Sequence, residues 1–407
     1  MKRLHHSWVM VIFAVVILVN HAMINYSFGV FLKPITEAFK WDRGTVSGAL
    51  SVYMIVFGLL SVIAGRLCDK YGPRLLLTAS AIFSGAGFLL MSTITQLWQV
   101  YLYTGIILGI GSGLCLAPIV STIARWFDRK RGLALGLTWS GIAIGGTITP
   151  LLVQGLIGQR NWQWAYLWLG ISFFIIMLPI SQFMKRSPDA IGLKPYGYAE
   201  NLKDEVPLTE QGYSFGKAIR TARFWFFSLI LFCLSFFTQT LGSHLVPHAR
   251  DIGINPAIAA SFVSIYVAVS AAGRNLCGVI VDRIGGARTL LIGFAMITLT
   301  IVWLLLAHEV WMFYAFALFY GIAFGSVVPL QTLMPGELFG LKSLGIISAM
   351  MMLIGQVGGA IGVPLAGTIF DKTGSYQLDF YILIGIGVMA VTLSLLLLRD
   401  RTRSARL

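Results

Sequence analysis

The sequence predicts an all-α membrane protein of twelve transmembrane helices arranged as two pseudo-symmetric six-helix bundles. Three observations carry that expectation. Of 407 residues, 57% are hydrophobic and only 11% are charged, with a mean hydropathy of +0.82, whereas a soluble domain carries about 25% charged residues. Stretches apolar and long enough to cross about 30 Å of hydrocarbon as helices recur along the whole chain. A polar segment after the second stretch also returns after the eighth, with Asp69 and Asp282 in matching places.

The spans are expected at 8–32, 44–64, 75–94, 97–120, 132–157 and 163–184, then at 223–247, 257–281, 289–307, 311–333, 343–369 and 377–398. Lys2 and Arg3 precede the first span like the start of a secretory leader. No small-residue cleavage site follows, and the apolar run is longer than a leader's, so the span is expected to be retained. It carries His21, Asn25, Tyr26 and Phe28. After the second span comes Gly65-Arg66-Leu67-Cys68-Asp69-Lys70-Tyr71-Gly72, paralleled after the eighth by Gly278-Val279-Ile280-Val281-Asp282-Arg283-Ile284-Gly285. Leu116 closes the fourth. The fifth holds Ser140 to Pro150, a glycine-rich run echoed by Gly355 to Pro364 in the eleventh, and Gly146 and Gly359 there keep the interval that separates Asp69 from Asp282. Small residues in those runs allow the close backbone approach that helix packing in lipid needs.

After the sixth span comes a polar stretch with Pro188, Pro195 and Pro207 and seven basic residues from Lys185 to Arg223. The organisation expected is therefore a first bundle over 1–184, a linker over 185–222 and a second bundle over 223–407. The seventh span ends near His244 and His248, the tenth contains Tyr320 and Phe324, and the eleventh contains Met350 and Met351.

The net charge of +14 would suit a nucleic-acid partner if it were clustered on a soluble surface. Its distribution argues instead for a membrane. With both termini cytoplasmic, 23 of the 30 Lys and Arg fall on the cytoplasmic side, six fall outside and one lies in a span, as the positive-inside rule requires. The expected setting is the lipid bilayer of the cytoplasmic (inner) membrane, multi-pass, with no nucleic acid and a monomeric chain. Cys68, Cys115, Cys233 and Cys277 lie in or beside spans and are expected to be packing residues. The spans contain no Ser/His/Asp, His-x-x-x-His or paired-carboxylate constellation, and the chain has no phosphate loop. No enzyme activity, catalytic residue, metal or cofactor is expected, and the linker over 185–222 is short for a sensor's output domain.

Arg274 is the only charge in the span from Ala257 to Val281, and Asn275 follows it. An arginine at a helix centre costs about 2.5 to 3.5 kcal/mol on insertion scales, so such a residue marks a protein interior or a water-filled path. It is not a copy of Arg66. Arg66 lies three residues from Asp69, about 4.5 Å of helix rise, whereas Arg274 lies eight from Asp282, about 12 Å. One period back from Arg274 stands Ser61. All sixteen Asp and Glu are expected in loops or at membrane edges, which leaves the guanidinium without a resident counterion. Its planar fork matches an incoming carboxylate.

The repeated Gly-x-x-x-Asp-[Lys/Arg]-x-Gly segment resembles that of the major facilitator superfamily, over the whole chain. Trp126-Phe127-Asp128-Arg129-Lys130-Arg131-Gly132-Leu133-Ala134-Leu135-Gly136-Leu137 is similar to a segment of monocarboxylate transporters and of oxalate/formate antiporters. The resemblance implies the major facilitator fold and secondary active transport by alternating access, with a cytoplasmic gate at Gly65, Arg66, Asp69, Lys70, Gly72, Asp282 and Arg283. It also implies a short monocarboxylate anion such as lactate, pyruvate, acetate or propionate as substrate, and a proton as its partner. Exchange of carboxylates of the oxalate/formate type is the alternative, and a non-transporting sensor a further one. Arg274 is the expected carboxylate ligand, with Tyr26, Asn25 and Asn275 as hydrogen-bonding candidates and Phe28, Leu116, Phe324 and Met351 as apolar lining, beside Met350 and Tyr320. Oxalate carriers have a lysine where Met351 stands, so a second fixed cation is missing and a dianion would be half unpaired. Monocarboxylate transporters have a lysine at the place of Tyr26 and an aspartate at that of Ser270. With those proton acceptors absent, His248, His21 and His244 are the candidates for proton coupling.

Overall fold

The computed structural model describes residues 6–197, 212–340 and 342–404. Lys2, Arg3 and the linker stretch 198–211, with Lys203 and Pro207, lie outside the described residues. Twelve helices are long and apolar enough to cross a membrane. They are α1 (His6–Phe39), α2 (Arg43–Tyr71), α3 (Pro73–Met91), α4 (Leu97–Trp126), α5 (Arg131–Gln159), α6 (Trp162–Phe183), α7 (Ala222–Asp251), α8 (Pro256–Ile284), α9 (Gly286–Leu305), α10 (Val310–Phe339), α11 (Leu344–Thr373) and α12 (Gln377–Ser404). Every expected span is present as a helix. Several helices outrun the apolar stretch: α1 and α2 continue to Phe39 and Tyr71, and α4 and α10 to Trp126 and Phe339. Hydropathy marks the hydrocarbon layer, while intrahelical hydrogen bonding can continue beyond it.

The chain divides into two compact units, Met1–Trp41 with Gly48–Glu205, and Asp42–Ser47 with Val206–Leu407. In the first, α1 packs along α5 and α3 along α6. In the second, α7 packs along α11, α8 along α10 and α9 along α12. Glycine makes the closest of these contacts possible. A methyl group added at Gly145 on α5 would strike the Val19 carbonyl of α1, and one added at Gly358 on α11 would strike the Phe232 carbonyl of α7. Gly145 and Gly358, like Val19 and Phe232, are separated by the interval between Asp69 and Asp282, so the sequence period is a period of packing.

The polar segments after α2 and α8 repeat as geometry too. Gly72 and Gly285 adopt φ of 80° and 83°, a region that disfavours a side chain. Each stops its helix by donating its N–H to the carbonyl four residues back, Cys68 O at 2.9 Å and Val281 O at 2.8 Å. The described ends of the linker are pinned at equivalent corners. Tyr196 donates its N–H to Trp126 O at 2.9 Å and accepts from the N–H groups of Asp128 and Arg129 at 3.1 Å, while Tyr213 donates to Phe339 O at 2.8 Å. The segment from Trp126 to Arg129 is thus also the anchor for the start of the linker. All four cysteines are buried free thiols.

Replacing Gly145 or Gly358 by valine is expected to separate tightly packed helices at about 1 to 3 kcal/mol. Gly65→Ala, where an added methyl meets nothing within 4 Å, is the control. Thermal unfolding of detergent-solubilised protein followed by size exclusion reads the difference: both valine variants lose stability and the control does not.

Candidate functional site

Arg274 sits eighteen residues beyond Pro256 on α8, about 27 Å along the axis. Its direction is set by the seam on the neighbouring face. Gly273 on α8 and Gly325 on α10 each lie so close to the other helix that an added methyl would meet backbone, Ile322 O in one case and Ser270 O in the other. With Gly273, Ser270 and Cys277 buried on that seam, Arg274 projects from a different face and is half-buried. Its Nε is buried without a hydrogen-bond partner, and no ion pair holds the guanidinium among the described residues. A charged group in that state is open to an anionic ligand.

The remaining sequence candidates on the second unit divide by burial. Asn275 is exposed and Met350 half-buried. Met351 is fully buried in the core. Phe324 is buried and stacks on Tyr320 with ring centroids 5.8 Å apart, and both rings meet Tyr266 edge-on, which lies two turns before Arg274 on α8. Ser270 is completely buried and donates its hydroxyl to Val267 O at 2.6 Å. It is a helix-satisfied packing residue.

In the first unit, Asn25 and Tyr26 are half-buried on α1. Asn25 accepts from Tyr53 on α2 at 3.2 Å, and Tyr53 also bonds Ser112 on α4 at 2.7 Å. That chain fixes the Asn25 carbonyl and turns its amide N–H groups elsewhere. Phe28 and His21 are buried and Leu116 is half-buried. Of the expected gate residues, Arg66, Lys70, Asp282 and Arg283 are exposed or half-exposed, and Asp69 lies in the last turn of α2.

His244 and His248 belong to a buried polar cluster that sequence reasoning did not assemble. Both rings of the α7 pair border Tyr376, in the turn between α11 and α12. His244 is committed on both sides, with Nδ1 3.0 Å from the Tyr376 hydroxyl and Nε2 2.8 Å from Val363 O. The same hydroxyl accepts from Arg43 at 3.0 Å. Arg43 then forms a two-pronged pair with Asp251, the last residue of α7, its Nη2 lying 2.9 Å from Oδ1. The Arg43 guanidinium carbon lies 3.8 Å from the centre of the Phe370 ring, and Asp371 accepts from the N–H groups of Arg43 and Gly44 at 2.9 and 2.7 Å. All of these groups lie in the second unit, which includes residues 42–47. Arg43, Asp251 and Asp371 read in the sequence as three separate charges beside spans, with nothing to mark their meeting.

The Major Facilitator Superfamily model matches residues 13–248 and 227–407. The chain belongs to the Major Facilitator Superfamily. Similar members of known name include an MFS-type transporter of Gibberella moniliformis, 28% identical over 369 residues, or 89% of this chain and 84% of that protein. Monocarboxylate transporter 13 of Bos taurus is 27% identical over 373 residues, covering 89% and 84%. Among solved structures, a bacterial homolog of the human lysosomal transporter Spinster, in an inward-facing and occupied conformation, superposes with a TM-score of 0.78 over 98% of both chains. At 16% identity that likeness shows the superfamily fold. Family and relatives indicate a membrane transporter.

Arg43→Ala leaves Asp251 buried without its cation, a loss of about 3 to 5 kcal/mol for a buried pair, because the Arg43 and Asp251 side chains are only 10% and 19% exposed. A marked fall in melting temperature is expected, with a smaller fall for Arg43→Lys, which keeps the charge but not the fork. An unchanged melting temperature in both variants would contradict the network.

Proposed function

We propose that this chain is a secondary carrier of short-chain monocarboxylates of the lactate, pyruvate, acetate or propionate type, moving them by alternating access together with a proton. The observation that carries the reading is the half-buried guanidinium of Arg274, whose Nε has no partner. A cation so placed favours one carboxylate as its counterion, and the pair crosses a low-dielectric region more readily than either ion alone. The absence of a second cation at Met351 sets the preference for a single negative charge, since an unmatched second carboxylate would pay a desolvation penalty. The similarity to bovine monocarboxylate transporter 13 points the same way. On the same unit as Arg274, Asn275 supplies a neutral hydrogen-bonding group and Phe324 apolar surface suited to a short aliphatic tail. Arg66, Lys70, Asp282 and Arg283 take the part of the cytoplasmic gate. The proposed setting is the cytoplasmic membrane with both termini inside.

Proteoliposome uptake tests this reading. Labelled lactate or acetate is expected to enter saturably, oxalate and a sugar poorly, and Arg274→Ala is expected to abolish uptake while the protein remains monodisperse. Arg274→Lys keeps the charge without the fork and should lose at least about tenfold, or about 1.4 kcal/mol. Saturable uptake by Arg274→Ala equal to that of the unmodified protein would overturn the assignment. Uptake that depends on a carboxylate inside the vesicle and ignores a pH gradient would make the protein an exchanger.

A further inference from the structure

One carboxylate escapes the rule that the acidic residues lie at accessible edges. Asp379, in the first turn of α12, is 1% exposed, and its Oδ1 is buried with no hydrogen-bond partner. Its neighbour Phe380 lies against His248, ring centroids 5.0 Å apart, and His248 Nε2 is likewise buried without a partner. Both side chains border Tyr376: the His248 ring lies 5.6 Å from the tyrosine ring, and Asp379 acts on the phenol electrostatically. Asp379 and His248 thus each carry a buried atom without a hydrogen-bond partner, and each acts on or packs against Tyr376.

We propose that Asp379 is the proton-binding site of this protein. The inference rests on the proton-coupled reading above and adds a carboxylate to it. Its chemistry is a simple uptake, Asp379 carboxylate plus a proton giving the acid, with no other bond changed. A carboxylate oxygen buried without a donor is costly to keep charged, and the acid is not.

The surroundings explain how proton occupancy is felt elsewhere. Around Tyr376 the cluster gathers His244, His248 and Asp251 from α7, Arg43 from the start of α2 and Asp371 from α11, and Asp379 acts on Tyr376 electrostatically. His308, in the turn after α9, also acts on His248 electrostatically. The body of α9, which packs along α12, carries only Arg288, at its opposite end. Tyr376 is the shared member: its ring meets His248, its hydroxyl accepts from Arg43, and Asp379 acts on it electrostatically. A change of charge at Asp379 therefore bears on the bonds that keep residues 42–47 in place.

Two measurements on the purified full chain test the site. In the first, infrared difference spectra over a pH titration follow the carbonyl band of a protonated, buried carboxylic acid, which requires no substrate. A titrating band is expected in the unmodified protein and should be absent in Asp379→Asn; spectra identical in the two proteins would overturn the proposal. In the second, the limiting accumulation of labelled lactate is measured in proteoliposomes under a gradient of about one pH unit, which a one-proton symporter converts to about tenfold accumulation. Asp379→Asn is expected to reach a ratio of about one, and Asp379→Glu to recover most of the tenfold ratio. Tenfold accumulation by Asp379→Asn would also overturn it. If the unmodified protein moves no lactate, the carboxylate reading fails, and the infrared titration still decides the site.

Discussion

The bilayer core offers no water, and that constraint orders everything in this molecule. Every backbone group must be bonded within its own helix, and every polar side chain must find a protein partner or remain at a cost. Most comply locally. Thr138 donates to Ala134 O at 2.8 Å, Ser228 to Phe224 O at 2.7 Å and Ser270 to Val267 O at 2.6 Å, each hydroxyl folded back on its own helix. Larger polar groups comply through long-range chains such as Tyr53 with Asn25 and Ser112, or Arg43 with Asp251 and Tyr376. Against that background the exceptions are informative. Among the described residues, the buried side-chain atoms that belong to titratable groups and lack a partner are His248 Nε2, Arg274 Nε and Asp379 Oδ1. One is a fixed cation and two can exchange protons, which are the elements that coupled carriage of an acid anion requires.

The internal repeat shows which features are scaffold and which are specific. Helix stops at Gly72 and Gly285, close approaches at Gly145 and Gly358, and linker anchors at Trp126 and Phe339 all recur at the same interval along the chain. These are the parts that two similar bundles need in order to pack. Arg274 corresponds to Ser61 across that period, and Asp379 and His248 correspond to Tyr166 and Ile35 in the first half. The three titratable groups with an unpartnered buried atom stand where the repeat is broken.

The fold was legible in the sequence because its signals are local. Hydropathy places each helix, and the paired polar segments after α2 and α8 expose the repeat. Arg274 was legible for the same reason, as a lone charge inside an apolar run. The cluster around Tyr376 was not. Arg43, Asp251, Asp371 and Asp379 each stand beside a span and read singly as solvated charges; only tertiary packing brings them together, joining the start of α2 at Arg43 to the turn before α12 at Tyr376. Met351, which stands where the resembling oxalate carriers have a lysine, is fully buried, and burial of that kind is set by tertiary packing rather than by the local sequence.

The central claim is that the counterion of Arg274 comes with the ligand. Equilibrium binding of labelled lactate to the purified protein tests it without transport, coupling or orientation entering the result. The account predicts one saturable site per chain, competed by acetate and propionate but not by a sugar, and lost when the guanidinium is removed by Arg274→Gln. Lactate bound with equal affinity and stoichiometry by that variant would contradict it.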